Sequence, residues 1–463
     1  MTRTSGGIDA LRTAMTGTVL VPGDPEYDEA RTVWNGDIDR YPAVVARCTG
    51  APDVAAAIAY AESAGLEVAV RGGAHGYWGA AVPEGGMMID LSLLNGVVVD
   101  PDARLARCGG GATLADLDAA TQQHGLAVTG GTISHTGVGG LTLGGGMGWL
   151  TRKCGLTIDN LVSAEVVLAD GRRVRASESQ EPDLFWALRG GGGNFGVVTE
   201  FEFRLYEVGP VVHLGLFFYD LDRAADALRL GRDVLGGLPR DAGGMLVALN
   251  APPAPFVPQE HHFAPGVAVL VAGFAGEGAH DALIAPVRER LVPLFELVTP
   301  IPYTELQKML DDAAPWGIRN YTKALMLDEL TDEAIDVVAG RLPEKVSPMT
   351  IVPIFPLGGA YADVGDDDTA FGGSRSARWA FNMDAIAPDA ETLAADRVWV
   401  RSLWDDMRPF ARDSGSYVNF MAEYEEDRVL ASYGAAKYAR LAAVKAEYDP
   451  GNVLHLNANI KPS

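Results

Sequence analysis

Val70-Arg71-Gly72-Gly73-Ala74-His75-Gly76-Tyr77-Trp78-Gly79 sets four glycines around a single histidine, directly after an apolar, strand-like run. Glycine lacks a Cβ, so the main chain can turn with positive φ and press its N–H groups against a ligand. A pyrophosphate most needs several such donors at once, and Arg71 adds charge. On these residues alone His75 is open to four readings: covalent anchor, ligand, catalytic base or surface turn residue.

Working outward, Val44-Val45-Ala46 reads as a buried strand, Ala51 to Ala61 as a helix with Pro52 in its first turn and Gly65 at its end, and Leu66 to Arg71 as a second strand. This β-α-β unit delivers the glycine loop at a strand end, where α/β proteins bind ligands. A second tract, Gly130 to Trp149, places nine glycines among twenty residues, far above the ordinary ~7%. Its interleaved Leu, Val, Ile and Trp distinguish it from a linker and predict backbone packed against a large flat ligand. Gly144-Gly145-Gly146-Met147-Gly148 lacks the preceding strand, the long following helix and the downstream acidic residue of a dinucleotide fingerprint, so an NAD site is set aside.

The chain has 463 residues, which predicts two or three domains at ~100–200 residues each. Its 48% hydrophobic and 21% charged content is that of a globular protein, and no stretch supplies the ~20 apolar residues of a membrane span. Lys+Arg 37 against Asp+Glu 61 leaves a net charge of -24, which argues against nucleic acid and anionic lipid and for small-molecule partners. Cys48, Cys108 and Cys154 are too scattered for a disulfide framework or a CxxC metal site. Met1 to Leu20 has no continuous apolar core of a secretory signal, so a cytoplasmic protein, monomer or homodimer, is expected. Asp363 to Asp368 reads as a solvated loop, because the glycine and glutamate of a calcium loop are missing, and no metal is expected.

Between and beyond the two tracts, strands are predicted at Met87–Ser92, Val97–Asp100, Arg104–Cys108, Leu161–Ala169, Arg172–Ala176 and Phe195–Leu205. Thr113 caps a helix running to about His124, and Asp183–Leu188 is a short helix. After Gly209-Pro210 the texture changes to aromatic and aliphatic strands (His213–Tyr219, Met245–Asn250, Val267–Phe274, Tyr321–Leu327, Thr350–Pro353, Trp379–Asp384). Helices Leu221–Leu235, His280–Leu291, Tyr303–Leu310 and Thr331–Gly340 alternate with them, and a final helix covers Gly434–Tyr448.

With both glycine tracts placed, the chain resembles the FAD-linked oxidases of the berberine-bridge-enzyme-like family, within the vanillyl-alcohol oxidase and p-cresol methylhydroxylase flavoprotein superfamily. The resemblance rests on Val70 to Gly79, Ser134 to Gly140, Gly144 to Arg152, Gly155 to Asn160, Asp183 to Thr199 (DLFWALRGGGGNFGVVT) and the tail from Tyr448 to Ile460. It implies a two-domain α+β fold of the PCMH type. Residues 1–208 would form the FAD-binding domain with two α+β subdomains, 209–415 a substrate domain with an antiparallel sheet, and 416–463 a segment returning to the FAD domain. Within the family the tract resembles bacterial monocovalent members of the 6-hydroxynicotine oxidase and polyketide-tailoring type.

The resemblance further implies FAD bound covalently through His75, which raises the flavin potential and eases hydride acceptance. Bicovalent relatives carry a cysteine where this chain has Ile133, so attachment is expected to be monocovalent, and Cys154 to be a core thiol. The main chain of Arg71, Gly72, Gly73, Ala74, His75 and Gly76 is expected at the pyrophosphate. Gly131, Thr132, Ser134, His135, Thr136, Gly137, Gly139, Gly140, Leu141, Gly144, Gly145, Gly148 and Trp149 are expected around the flavin ring and ribityl chain. Val198 belongs to the adenine side, and Asn457 and Asn459 to the returning tail. The implied reaction passes a hydride from an alcohol, amine or polyketide-like molecule to flavin N5, with O2 as reoxidant and H2O2 as product, in bacterial secondary metabolism or catabolism. A flavin-N5-oxide monooxygenase on the same scaffold and a non-catalytic flavin- or ligand-sequestering protein are the alternatives. In Ser416-Tyr417-Val418-Asn419-Phe420, Phe420 replaces a tyrosine frequent in the family, so the proton acceptor stays open among Tyr417, Tyr424 and Glu423, with Asn419 beside them and Asn382 as a hydrogen-bonding partner. Trp149, Tyr321, Lys323 and Trp379 are candidates to line the substrate cavity.

Overall fold

The computed structural model describes residues 5–411, 417–423 and 426–463. Its first sheet has the strand order Thr18–Leu20, Val44–Arg47, Met87–Asp90, Val68–Arg71. Met87–Asp90 pairs in parallel with both Val44–Arg47 and Val68–Arg71. The crossover is the helix Ala51–Ala64, which carries proline in its first turn and ends at Gly65 with φ 65. Its buried Val54, Ala57, Ile58 and Ala61 follow the spacing of one helix face and pack against Val44, Val68, Met87 and Ile89. The Val70–Gly79 loop therefore leaves an edge strand of this sheet.

A second sheet is antiparallel throughout, in the order Val97–Asp100, Leu105–Gly109, Val197–Arg204, Leu161–Val167, Arg173–Ser177. Part of the second glycine tract is a short helix, Val138–Gly144. Glycine is used there for proximity: a Cβ on Gly139 would lie 2.8 Å from the Gly110 carbonyl oxygen. The segment Val138–Gly144 is thus a helix thin enough to lie on neighbouring main chain.

The third large sheet has seven antiparallel strands in the order Phe295–Pro302, Val211–Asp220, Pro265–Gly273, Ala242–Asn250, Val352–Pro356, Trp379–Ala387, Arg319–Leu327. Helices Ala224–Gly236, Asp332–Arg341 and Ala390–Met407 cover one face, where Leu246, Ala248, Phe381, Met383 and Ala385 join their core. The period-two alternation of a strand sends Met245, Val247, Asn382, Asp384 and Ile386 to the opposite face. The chain is therefore an α+β protein in which the seven-stranded sheet roofs the glycine tract.

The C-terminal helix Ala435–Tyr448 returns to the second sheet, burying Leu441, Ala442, Val444 and Tyr448 beside Leu184 and Trp186. Lys445, fully buried, pairs with Asp449 at 2.5 Å and donates to the carbonyls of Asn194 and Leu454. That bond set fixes the turn from which Asn457 reaches the site.

Candidate active site

The glycine loop and the glycine tract cross main chain to main chain. A Cβ on Gly73 would lie 2.3 Å from the Gly137 Cα, and one on Gly137 2.3 Å from the Gly73 nitrogen, so side chains are excluded at both. The N–H groups of Gly72, Gly73, Ala74, His75 and Gly76 donate to no described residue. Main-chain donors rarely go unpaired without a partner of another kind, and a run of them in one turn is an anion cradle. From this turn a cavity of about 2160 Å³, its mouth included, extends between the glycine tract and the roofing sheet. At Gly76 and Gly140, both on its wall, a Cβ would meet nothing within 4 Å. The absent side chains leave room for a ligand.

His75 stands on the wall inside a cage. The Trp34 ring stacks on it at 4.3 Å and 15°, and its Nε2 lies 3.0 Å from His135 Nδ1. Burial, and then the neighbouring His135, lower its pKa to about 3, so the ring is neutral. On the roofing sheet Asp384 is the one carboxylate among the described residues of the wall. Its Oδ2 accepts from Asn382 Nδ2 at 2.8 Å, whose Oδ1 in turn accepts from Thr322 at 2.7 Å. Asp384 Oδ1 is buried with no partner among the described residues. Burial pushes this carboxyl up to about 7, and the nearby polar groups of Thr322, Asn382 and Tyr77 hold it lower than burial alone would. A half-ionised buried carboxylate with a free oxygen is suited to receive a proton at neutral pH.

Of the expected cofactor residues, Gly72, Gly73, Ala74, His75, Gly76, Gly131, Thr132, Thr136, Gly137, Gly139, Gly140, Leu141, Val198 and Asn457 lie on the cavity wall. The others stand behind it. The Arg71 guanidinium donates to the Ala30 carbonyl and faces Asp90, so its charge is turned from the cradle. Ser134 is taken up by Asp311, with Ser134 N to Oδ1 at 2.7 Å and Ser134 Oγ to Oδ2 at 2.6 Å. His135 reaches the wall only through His75. Gly144, Gly145 and Gly148 pack against Asn419, Phe371 with Tyr417, and Gly130 respectively. Trp149 is buried in the core beneath the roof, and Asn459 holds a buried, unpartnered Oδ1 off the wall.

Tyr417, Asn419 and Asn382 are also on the wall. The Tyr417 hydroxyl receives the Gly146 N–H at 2.6 Å and Asn419 Nδ2 at 2.7 Å, yet burial pushes its pKa up to about 12. It is a neutral phenol that braces the glycine tract. Glu423 is paired with Lys323 at 3.0 Å and with Arg401, away from the cavity, and Tyr424 lies outside the described residues. Tyr321 and Trp379 face the helix-covered side of the sheet, with Lys323 against Trp404, so none of the three lines the cavity. Trp34, Gly110 and Asp384 were missing from the sequence expectation. For Asp384 a signal existed: it is two residues beyond Asn382 and so shares its face.

Residues 42–177 match the FAD-binding domain family, and residues 416–461 the family described as berberine and berberine like. The (R)-6-hydroxynicotine oxidase of Paenarthrobacter nicotinovorans is 31% identical over 460 residues, 97% of each chain. The crystal structure of 6-hydroxy-D-nicotine oxidase from Arthrobacter nicotinovorans superposes with a TM-score of 0.84 at 29% identity, covering 97% of this chain and 98% of that one. Glucooligosaccharide oxidase from Acremonium strictum, whose structure is described as carrying 6-S-cysteinyl, 8α-N1-histidyl FAD, superposes with a TM-score of 0.84 at 25% identity, covering 99% of both chains. The chain belongs to the berberine-bridge-enzyme-like family of FAD-linked oxidoreductases. It is an enzyme, and its cofactor is FAD. The free N–H groups of residues 72–76 and the open space at Gly76 and Gly140 fit a dinucleotide diphosphate and a flat ring.

Proposed function

We propose that this enzyme is an oxidase acting on an apolar, ring-bearing alcohol or amine, with Asp384 receiving the proton of the hydroxyl or amino group. FAD, when bound, accepts the hydride from the adjoining carbon and is reoxidised by O2 with release of H2O2. The observation that carries the reading is the one carboxylate among the described residues of the wall, buried, with its pKa raised to about 7 and one oxygen without a partner among those residues. Asn382 and Thr322 hold the other oxygen's side, so the free one keeps a fixed direction. Met245, Val247, Leu249, Ile351, Pro353, Phe355 and Phe420 make the rest of the roof and rim apolar, which excludes water and disfavours a polyol such as an oligosaccharide.

His75 is the sole covalent anchor in this reading. Ile133 lines the cavity where a second, cysteinyl link would need sulfur, and all three cysteines are buried off the wall. Burial pushes the Cys154 thiol up to about 12, so it is unreactive. Thiols held as buried, unpaired groups suit a reducing compartment, and we assign the enzyme to the cytoplasm of a cell using it in secondary metabolism or catabolism. The test is a panel of aromatic secondary amines, benzylic alcohols and oligosaccharides mixed anaerobically with the yellow protein. Bleaching by the first two, followed by peroxide on aeration, is expected. Bleaching by sugars alone would overturn the substrate class, and 18O from labelled O2 appearing in product would mark oxygen insertion instead.

A further inference from the structure

We infer that Asn320 is a specificity-determining residue that binds a second group of the substrate, a neutral carboxamide-type function on the ring, while Asp384 receives the proton of the amine or hydroxyl. The inference rests on the proposed oxidation at Asp384 and adds what the far end of the substrate carries.

Asn320 is the second residue of strand Arg319–Leu327 at the edge of the roofing sheet, and strand alternation decides its face. Tyr321, Leu325 and Leu327 join the core under the helices, whereas Asn320 is on the cavity wall and Thr322 bonds Asn382 there. The main chain of Asn320 is held from outside the sheet. Asn35 closes on it with both ends of its amide: Nδ2 donates to the Asn320 carbonyl at 3.0 Å, and Oδ1 accepts the Asn320 N–H at 3.0 Å. Gly36 N to the Ile318 carbonyl at 2.8 Å and the Arg319–Asp37 pair at 2.8 Å continue the same strip. The open edge of the sheet is covered here, and the Asn320 side chain leaves a fixed backbone.

The side chain itself is unused. Asn320 is 4% exposed, its Oδ1 is buried with no partner among the described residues, and its Nδ2 donates to none of them. Because neither atom is bonded, the amide offers a donor and an acceptor side by side whichever way it is turned. A buried amide in this state is costly until a ligand completes it. The surroundings constrain that ligand. Among the described residues no Lys or Arg lines the cavity, and His75 is neutral, so a carboxylate or phosphate finds no counter-charge there. An uncharged group that both accepts and donates fits instead. The cradle for FAD is built from the glycine loop and tract, whereas Asn320 comes from the roof beside Asp384, so the partner of its amide is the substrate. Asn320 pairs with Ile386 and Thr322 with Asp384, which makes Asn320 and Asp384 diagonal neighbours with Cβ atoms about 7–8 Å apart. One six-membered ring spans that separation, with its oxidised substituent at Asp384 and the carboxamide across from it.

The test titrates purified holoprotein with benzamide and with acetophenone, two rings of the same shape that differ by an amide NH2 against a methyl, and follows the visible spectrum of the flavin. Wild type is expected to bind benzamide about 10-fold more tightly, the worth of one or two neutral hydrogen bonds. Asn320→Leu is expected to bind the two alike while holding acetophenone as wild type does. A merely structural role would weaken both ligands together. Where Asn320→Leu does not fold, Asn320→Ala gives the same comparison. Equal binding of the two ligands by wild type, a preference for benzamide that survives in the variant, or joint loss of both would overturn the inference. A flavin spectrum altered in the ligand-free variant would give the amide to FAD and overturn it likewise. The amine and alcohol panel of the proposed function, run beside the titration, separates the two readings. Bleaching by the panel without a preference for benzamide overturns this inference alone, whereas no bleaching by amine or alcohol overturns the proposed function and this inference with it.

Discussion

Asp384 is a carboxylate buried in a largely apolar wall, and one of its oxygens has no partner among the described residues. Because its pKa is raised to about 7, the proton-accepting form is lost as pH falls, and kcat/KM is expected to decline below about pH 7 with a slope of one proton. The stability sign is the reverse: a raised pKa contributes stability that is full below the ordinary carboxylate value and lost as pH rises through about 7. Asp384→Asn should lower kcat/KM by about 10²- to 10⁴-fold with unchanged flavin content, in stopped-flow reduction and absorbance respectively. At His75 the expected outcome is chemical: His75→Ala releases its yellow colour into acid supernatant, whereas Cys154→Ala keeps it in the pellet. The glycine loop and His75 were legible in the sequence because glycine density is a strong local signal. For Asp384 the sequence carries only its place on the face of Asn382, because the strand is predicted to end there and its neighbours Tyr77 and Thr322 are brought to it only by tertiary contacts.

The eighteen-residue helix Ala390–Met407 escaped sequence reading because its apolar stripe is interrupted. Leu393, Val400, Leu403 and Met407 keep helical spacing, but Asp396 sits in the same stripe, fully buried. It stays there by accepting Val346 N at 2.8 Å, Ser347 N at 3.0 Å and the Thr350 hydroxyl, closing the loop before strand Val352–Pro356. Asp396→Ala takes the acceptor from the Ser347 N–H and the Thr350 hydroxyl, both buried, and from the more exposed Val346 N–H, and should cost about 3 kcal/mol in urea unfolding, since each unsatisfied buried group costs about 1–3 kcal/mol. The strand Phe295–Pro302 was missed for a different reason. Pro300 and Pro302 argue against a central strand, and they are accommodated because this strand forms the edge of its sheet. The β-α-β unit and the Asp170-Gly171 hairpin, by contrast, carry their turn chemistry within a few adjacent residues.

Across the whole molecule, the loop leading into strand Trp379–Ala387 of the roofing sheet is joined to the turn that follows the glycine tract by a buried ion pair. Arg375 donates to Asp159 through both terminal nitrogens, at 2.8 and 2.7 Å, and also to Thr369, while the Tyr361 and Phe371 rings flank its guanidinium. Both side chains are about 5% exposed, at 4% and 6%. Asp159 further accepts the Leu156 N–H, so the pair also shapes the Gly155–Asn160 turn beneath the tract. Taking two charges out of water is costly, and such pairs hold register more than they add stability. Arg375→Met should therefore cost about 3–5 kcal/mol, because Asp159 is left buried and unpaired. Adding Asp159→Asn should return much of that loss, because the uncompensated charge goes with it. If register is what the pair supplies, the double variant will melt near wild type yet bind its substrate more weakly, with KM raised and acid-stable flavin intact. A double variant as unstable as Arg375→Met would mean instead that the pair acts through packing of the guanidinium between its two rings.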